Sequence, residues 1–153
     1  MMFANAKYVV LFLSIFVAAC SSHKTMSHSP ATSAKTPASL LGTEWLLTDL
    51  PGTPVVPNSK ASLSFFEPGR AAGNASCNRF AGSVAISGDS IKFGQMASTR
   101  MACVDDAVGA QEDQYLKLLE AAKRFELKDN SLLIFVDGSD KPLRFARQTT
   151  SHP

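Results

Sequence analysis

Short apolar stretches with a period of two recur along residues 41–147, and turn-forming residues separate them. Alternation of this kind, interrupted by glycine, proline, asparagine and aspartate, predicts short antiparallel strands. The turn Ser87-Gly88-Asp89 lies between two such stretches and predicts a hairpin. The predicted strands are residues 41–50, 61–66, 71–79, 83–86, 90–93, 125–128, 131–136 and 142–147.

One segment has helical periodicity instead. Asp105 or Asp106 supplies a carboxylate that suits an N-cap and the positive end of the helix dipole. We expect the helix to end near Phe125, after basic residues that suit a helix C-terminus. Its apolar stripe has spacings of three and four residues and would pack on the sheet. The stripe consists of Tyr115, Leu118, Leu119 and Ala122.

About seven or eight short strands and one helix, joined by short connections, favour the α+β class. A parallel sheet would need longer crossover connections than the spacing provides. We therefore expect a curved antiparallel β-sheet packed around one α-helix. This single domain would span residues 40–147 and be followed by a flexible tail at residues 148–153.

The N-terminal segment resembles a bacterial lipoprotein signal peptide. Residues 1–19 contain one lysine, Lys7, followed by an apolar run that is too short to span a bilayer. The run ends in Val17-Ala18-Ala19-Cys20, and small residues before a cysteine are typical of the lipobox. We expect cleavage before Cys20 and lipidation of its thiol, which would anchor the protein to a membrane. The alternative is an ordinary signal peptide that leaves Cys20 as a free thiol.

Residues 20–39 are predicted to form a disordered tether that begins with lipidated Cys20. They are rich in serine, threonine, alanine, proline and histidine and lack apolar periodicity, so they cannot form a packed core. As a flexible coil this segment would span roughly 25 Å. By analogy with the sorting of lipoproteins in Gram-negative cells, Ser21 rather than aspartate after the cysteine favours a location at the periplasmic face of the outer membrane, with the inner membrane as the alternative.

Charge argues against one class of partner. The net charge of +2 includes Lys7, Lys24 and Lys35, which precede the predicted domain. The domain itself is therefore close to neutral. Proteins that bind nucleic acid need clustered lysine and arginine to displace counterions, so we expect no nucleic-acid partner.

The two cysteines of the predicted domain are Cys77 and Cys103. In an exported protein they are most simply explained by a disulfide, because the compartment is oxidising and no further soft ligands lie nearby. A redox-active pair is an alternative, although there is no Cys-x-x-Cys motif. Metal binding is a weaker one, and we expect no metal or cofactor.

The positions of the histidines disfavour hydrolytic chemistry. His23, His28 and His152 all lie outside the predicted domain, so no imidazole is positioned there to act as a base. The carboxylate pairs Asp105-Asp106 and Glu112-Asp113 are neighbours in sequence and do not face one another on a helix. We interpret both pairs as solvated, and we expect a protein that is not an enzyme.

Two motifs carry a family resemblance. The chain has Cys77-Asn78-Arg79-Phe80-Ala81-Gly82 and, later, Ser98-Thr99-Arg100-Met101-Ala102-Cys103. Together with the opening Gly42-Thr43-Glu44-Trp45, they resemble the META-domain family of lipoproteins similar to the heat shock protein HslJ. The resemblance covers about residues 40–147 and departs from the family at Ser83-Val84, where an aromatic residue is usual. It implies an α+β fold and a role in envelope stress tolerance or outer-membrane maintenance.

The predicted disulfide would bring together four polar residues that we consider possible binding residues: Asn78, Arg79, Thr99 and Arg100. The competing interpretation is that they satisfy buried backbone groups. Partly exposed Phe65, Phe66 and Phe80 would add an apolar patch for a peptide, an acyl chain or a partner's strand.

The sequence therefore favours a non-enzymatic, membrane-anchored lipoprotein that contacts an envelope protein or lipid. Two alternatives remain open. One is a pilotin-like chaperone for another envelope protein, which would need an apolar groove. The other is an enzyme with a carboxylate or arginine site, which would need a deep polar pocket.

Overall fold

A computed structural model describes residues 40–149 of the chain. The predicted signal peptide, Cys20, the tether and the end of the tail lie outside these residues. The described part contains one helix and nine strands. In chain order they are β1 (Glu44–Leu50), β2 (Thr53–Pro54), β3 (Ser62–Ser64), β4 (Arg70–Asn74), β5 (Arg79–Ser87), β6 (Ser90–Ser98), α1 (Asp106–Glu120), β7 (Ala122–Lys128), β8 (Ser131–Val136) and β9 (Leu143–Arg147).

The predicted α+β content is confirmed, but the sheet is a closed barrel. The strands from β3 to β9 pair in chain order, and every pairing is antiparallel. β1 then pairs with β3 through Glu44–Leu46 and with β9 from Trp45 to Asp49, which closes eight strands into a ring. The short β2 is an extra strand that pairs only with the end of β1. A closed ring leaves no unpaired edge to aggregate, whereas an open curved sheet would leave two.

Several predicted boundaries were wrong. The predicted strand 71–79 ends at Asn74, so that Cys77 lies in a loop, and the following hairpin is longer than expected because β6 continues to Ser98. The helix ends at Glu120, and Ala122 begins β7. The reason is that Phe125 is 1 % exposed and belongs to the strand alternation that fills the barrel.

Large side chains fill the interior of the barrel. Large, fully buried residues come from β1, β3 and every strand from β6 to β9, from the helix, and from the segment before β1; they are Leu40, Trp45, Leu63, Ile91, Tyr115, Leu119, Phe125, Leu132, Ile134, Leu143 and Phe145. Phe65 and Phe80 are buried as well, contrary to the expectation that they are partly exposed, whereas Phe66 is 60 % exposed. An eight-stranded barrel is just wide enough for side chains to fill, and this one is packed in that way.

The helix covers one end of the barrel, which we call the helix end. Its N-cap is Asp105, whose carboxylate accepts a hydrogen bond from the amide of Ala107 at 2.8 Å. Tyr115 reaches from the helix into the barrel and contacts the ring of Phe80, with 5.8 Å between ring centroids. Its hydroxyl donates to the carbonyl oxygen of Ser62 at 3.2 Å.

The opposite end of the barrel is where the described chain begins, and we call it the entry end. Leu40 is fully buried there, and its carbonyl oxygen accepts a hydrogen bond from the Thr43 hydroxyl. The turns after β3, β5 and β7 lie at the same end, because these strands run away from the helix end. Within residues 40–149, no helix is both long enough and apolar enough to cross a bilayer.

Candidate contact site at the disulfide

A disulfide joins Cys77, in the loop between β4 and β5, to Cys103, in the segment that leads from β6 to α1. The two Cα atoms are 5.8 Å apart, within the range usual for disulfides. The bond predicted from the sequence is therefore present in the structure. It closes a loop around the β5–β6 hairpin and holds the approach to the helix against the loop before β5.

Asn78, next to the disulfide, is almost completely buried at 3 % exposure. Its side-chain oxygen accepts hydrogen bonds from the Met101 amide and the Thr99 hydroxyl, each at 2.8 Å. Its side-chain nitrogen donates to the Met101 carbonyl at 3.2 Å and to Glu112 at 2.9 Å. One buried carboxamide thus holds both backbone groups of Met101, so that Asn78 has a structural role.

Glu112 lies beneath this network and is 7 % exposed. One of its carboxylate oxygens accepts a hydrogen bond from the Asn78 backbone amide at 2.7 Å, and the other accepts from the Asn78 side chain at 2.9 Å. The expectation that Glu112 is solvated was therefore wrong. The signal was available in the sequence, because Glu112 lies three residues before Tyr115 and so shares the inward face of the helix.

Gln111 makes a second link between the helix and the loops, which the sequence analysis missed. Its side-chain oxygen accepts a hydrogen bond from the Val56 amide at 2.6 Å. Its side-chain nitrogen donates to the hydroxyls of Ser59 and Ser76. Gln111 lies four residues before Tyr115 and so shares the inward face of the helix, but its partners are brought close only by folding.

Arg79, Thr99 and Arg100 are all exposed, but they differ in their contacts. The Thr99 hydroxyl donates to Asn78 and accepts from the Arg79 amide at 3.2 Å, so it is part of the buried network. Neither arginine side chain forms an ion pair within residues 40–149. Of the four predicted binding residues, Asn78 and Thr99 hold the structure together, and the two arginines remain available to a partner.

The network supports a largely exposed segment, residues 99–104, which we call the displayed loop. Met101 is 62 % exposed and Val104 is fully exposed. The backbone of Met101 is held by Asn78, and Cys103 is held by the disulfide. The loop therefore presents two apolar side chains to solvent from a fixed backbone.

An apolar groove of about 380 Å³ opens at the entry end of the barrel. One wall is the turn after β3, where Glu67 and Arg70 form an exposed ion pair at 3.5 Å. Phe66, in the same turn, projects into solvent. The apolar side chains that line the groove are Leu40, Leu41, Phe65, Pro68, Val84 and Ile86.

The family model for the META domain matches residues 38–150. This chain belongs to the META domain family. The match confirms the resemblance seen in the two cysteine-containing motifs. No curated protein sequence matches the chain significantly.

Solved structures agree with this assignment at the level of the fold. A protein from Burkholderia xenovorans, determined by NMR, is 27 % identical, with a TM-score of 0.61 over 73 % of this chain and 86 % of its own. A second NMR structure is 24 % identical, with a TM-score of 0.60 over 72 % of this chain and 93 % of its own. The barrel with its covering helix is thus shared by other proteins.

In this META domain the two sulfurs and the Glu112 carboxylate form a cluster of atoms that lie within 4.8 Å of one another. The spacing would suit a metal ion, but metals bind cysteine as the thiolate, and here the sulfurs are bonded to each other. The carboxylate oxygens accept hydrogen bonds from Asn78. The cluster therefore serves to fasten the helix to the displayed loop.

Tyr115 is the titratable group of the domain whose environment is most perturbed. Burial raises its pKa well above the usual value of 10.0, because the interior of the barrel cannot solvate a phenolate. Its ring also lies 6.1 Å from that of Phe145. Tyr115 is thus a neutral core residue that anchors the helix in the barrel.

Proposed function

We propose that the chain is a non-enzymatic lipoprotein of the cell envelope, anchored through a lipid on Cys20, whose META domain makes contacts with an envelope partner. The displayed loop is the observation that carries this proposal. It combines exposed Met101 and Val104 with the exposed cation Arg100, and it lies beside exposed Arg79, whose backbone is hydrogen-bonded to Thr99. Exposed apolar side chains beside arginine are typical of the centre of protein interfaces.

The cost of building the loop supports a contact role. Burial of a carboxylate and a carboxamide is unfavourable unless both are hydrogen-bonded, and here Glu112 and Asn78 satisfy one another. Their combined effect is to fix the backbone of Met101, whose side chain adds little to the core because it points into solvent. A surface that is rigid before it binds loses less entropy on binding.

The expected location is the periplasmic face of the outer membrane, and the expected role is envelope stress tolerance. Both rest on the lipobox-like sequence before Cys20 and on what the family resemblance implies.

An enzyme with a carboxylate site is less well supported, because both Glu112 oxygens are already engaged within the domain. A pilotin-like chaperone is the second candidate, since it requires an apolar groove of the kind found at the entry end.

Photo-crosslinking in intact envelopes tests the contact role. We would replace Met101 by a photoreactive amino acid and, as a control, do the same at exposed Glu126 on the outer face of β7. We expect discrete protein adducts from position 101 and none from position 126. Equal labelling at both positions, or none at position 101, would contradict the proposal.

Mass spectrometry of the protein from membrane fractions tests the anchor separately. The Cys20→Ser variant should have a larger polypeptide mass, because it retains its signal peptide, and it should carry no lipid. Unlipidated wild-type protein, or wild-type protein already cleaved elsewhere than before Cys20, would refute the anchoring step. Co-purification of one other envelope protein in a stoichiometric amount, bound at the apolar groove, would favour the pilotin-like chaperone instead.

A further inference from the structure

The entry end of the barrel carries exposed apolar residues of its own. Leu41 is 45 % exposed, and Phe66 is 60 % exposed. The two segments are held side by side, because the Gly42 amide donates a hydrogen bond to the Phe65 carbonyl at 2.8 Å. Together with the apolar groove, they form one face that is poorly matched to water.

The chain reaches this face directly from the predicted lipid anchor. Leu40, the first residue that the structure describes, is fully buried at the entry end, so the chain joins the domain there. Residues 21–39 separate it from Cys20 and, as a flexible coil, would span roughly 25 Å. A lipid on Cys20 would therefore keep the entry end at a high effective concentration near the bilayer.

The tether itself is a poor occupant for the groove. Residues 20–39 contain one large apolar side chain, Met26, among serine, threonine, alanine and proline. The same segment contains Lys24 and Lys35 and no acidic residue. Its charge favours a path along an anionic lipid surface, whereas Arg70 on the groove wall is paired with Glu67 and adds no net charge there.

We propose that the entry end docks on the phospholipid bilayer, with Leu41 and Phe66 inserted at the membrane interface and the groove open to the lipid chains. This inference rests on the proposed anchor at Cys20. Docking in this orientation turns the helix end away from the membrane. The displayed loop then faces the aqueous compartment, where a protein partner can reach it.

Tryptophan quenching tests the orientation with a matched pair of variants. Phe66 and Met101 are 60 % and 62 % exposed and lie at opposite ends of the barrel. The single native tryptophan, Trp45, is 1 % exposed and gives the same background in both variants. Lipidated Phe66→Trp and Met101→Trp proteins would be reconstituted in phosphatidylethanolamine and phosphatidylglycerol vesicles with and without brominated acyl chains.

We expect brominated chains to reduce the emission of Phe66→Trp. They should quench Met101→Trp no more than they quench the wild-type protein. Addition of Leu41→Asp to Phe66→Trp should diminish the quenching while circular dichroism stays unchanged, since both positions are exposed. Equal quenching of the two reporters, or quenching of Met101→Trp alone, would overturn the proposal. So would shielding of Phe66→Trp by a co-purified protein rather than by lipid.

Flotation of the same vesicles separates this inference from the anchor on which it rests. Wild-type protein that fails to float with the lipid would remove the anchor and with it the docking. Protein that floats while Phe66→Trp remains unquenched would leave the anchor intact and overturn only the docking of the entry end.

Discussion

Replacement of Asn78 by alanine should destabilise the domain far more than an ordinary loop substitution. The side chain is 3 % exposed and makes four hydrogen bonds to oxygen or nitrogen partners. Three of these are to neutral groups, and the fourth is to the Glu112 carboxylate. The substitution leaves Glu112 buried with one of its two donors removed.

The magnitude follows from these contacts. Neutral hydrogen bonds contribute about 1 kcal/mol each, and one to a charged group contributes about 2 kcal/mol, which gives an upper limit of about 5 kcal/mol. Thr99 and Met101 are exposed enough for water to replace part of what they lose. We therefore expect the free energy of unfolding to fall by about 3 kcal/mol, a large share of the margin of a small domain.

Urea denaturation of the disulfide-intact protein, followed by Trp45 fluorescence, measures this change. The probe is suitable because Trp45 is the single tryptophan and is 1 % exposed in the folded state. With a denaturant dependence of about 1.5 kcal/mol per molar urea, the transition midpoint should move by about 2 M. The Asn78→Asp variant, which sets a second carboxylate against Glu112, should lose at least as much stability.

Asn130 supplies the matched control, because it is an exposed asparagine in the turn between β7 and β8. Asn130→Ala should change the free energy of unfolding by no more than about 0.5 kcal/mol. If Asn78→Ala lost less than about 1 kcal/mol, the buried network would not hold the displayed loop, and the argument for a preorganised contact surface would fail.

Two further changes probe the disulfide and the buried tyrosine. The double variant Cys77→Ser/Cys103→Ser should be about 3.5 kcal/mol less stable, because the disulfide closes a loop with a sequence separation of 26. Equal urea midpoints for this variant and the oxidised wild type would contradict this expectation. Above pH 10.0, Tyr115 ionises in the unfolded chain but keeps its proton in the folded barrel. Its raised pKa therefore leaves the free energy of unfolding unchanged well below pH 10.0 and lowers it progressively above that value. Tyr115→Phe should flatten this alkaline loss, as measured by urea titrations at several pH values, and tyrosinate absorbance that appears before unfolding would refute the raised pKa.

Local features of the fold were accessible from the sequence. Strand alternation, the turn at Ser87-Gly88-Asp89 and the N-cap at Asp105 depend on residues close together in the chain. The disulfide was accessible for a different reason, since Cys77 and Cys103 were the two cysteines in the predicted domain. The family followed from short motifs around the same cysteines.

Contacts between distant segments decided the rest. Closure of the barrel brings Thr48 to Arg144 across 96 residues, and alternation looks the same in an open and a closed sheet. Asn78 and Glu112 meet across 34 residues, which turns a residue expected to be solvated into a buried hydrogen-bond acceptor. The sequence by itself determined that the domain contains short strands and one helix, together with the cysteine pair and the family, but it did not determine all of the boundaries. Only the tertiary structure decided which polar groups are buried and which apolar ones are displayed, because burial depends on the partners that folding brings together.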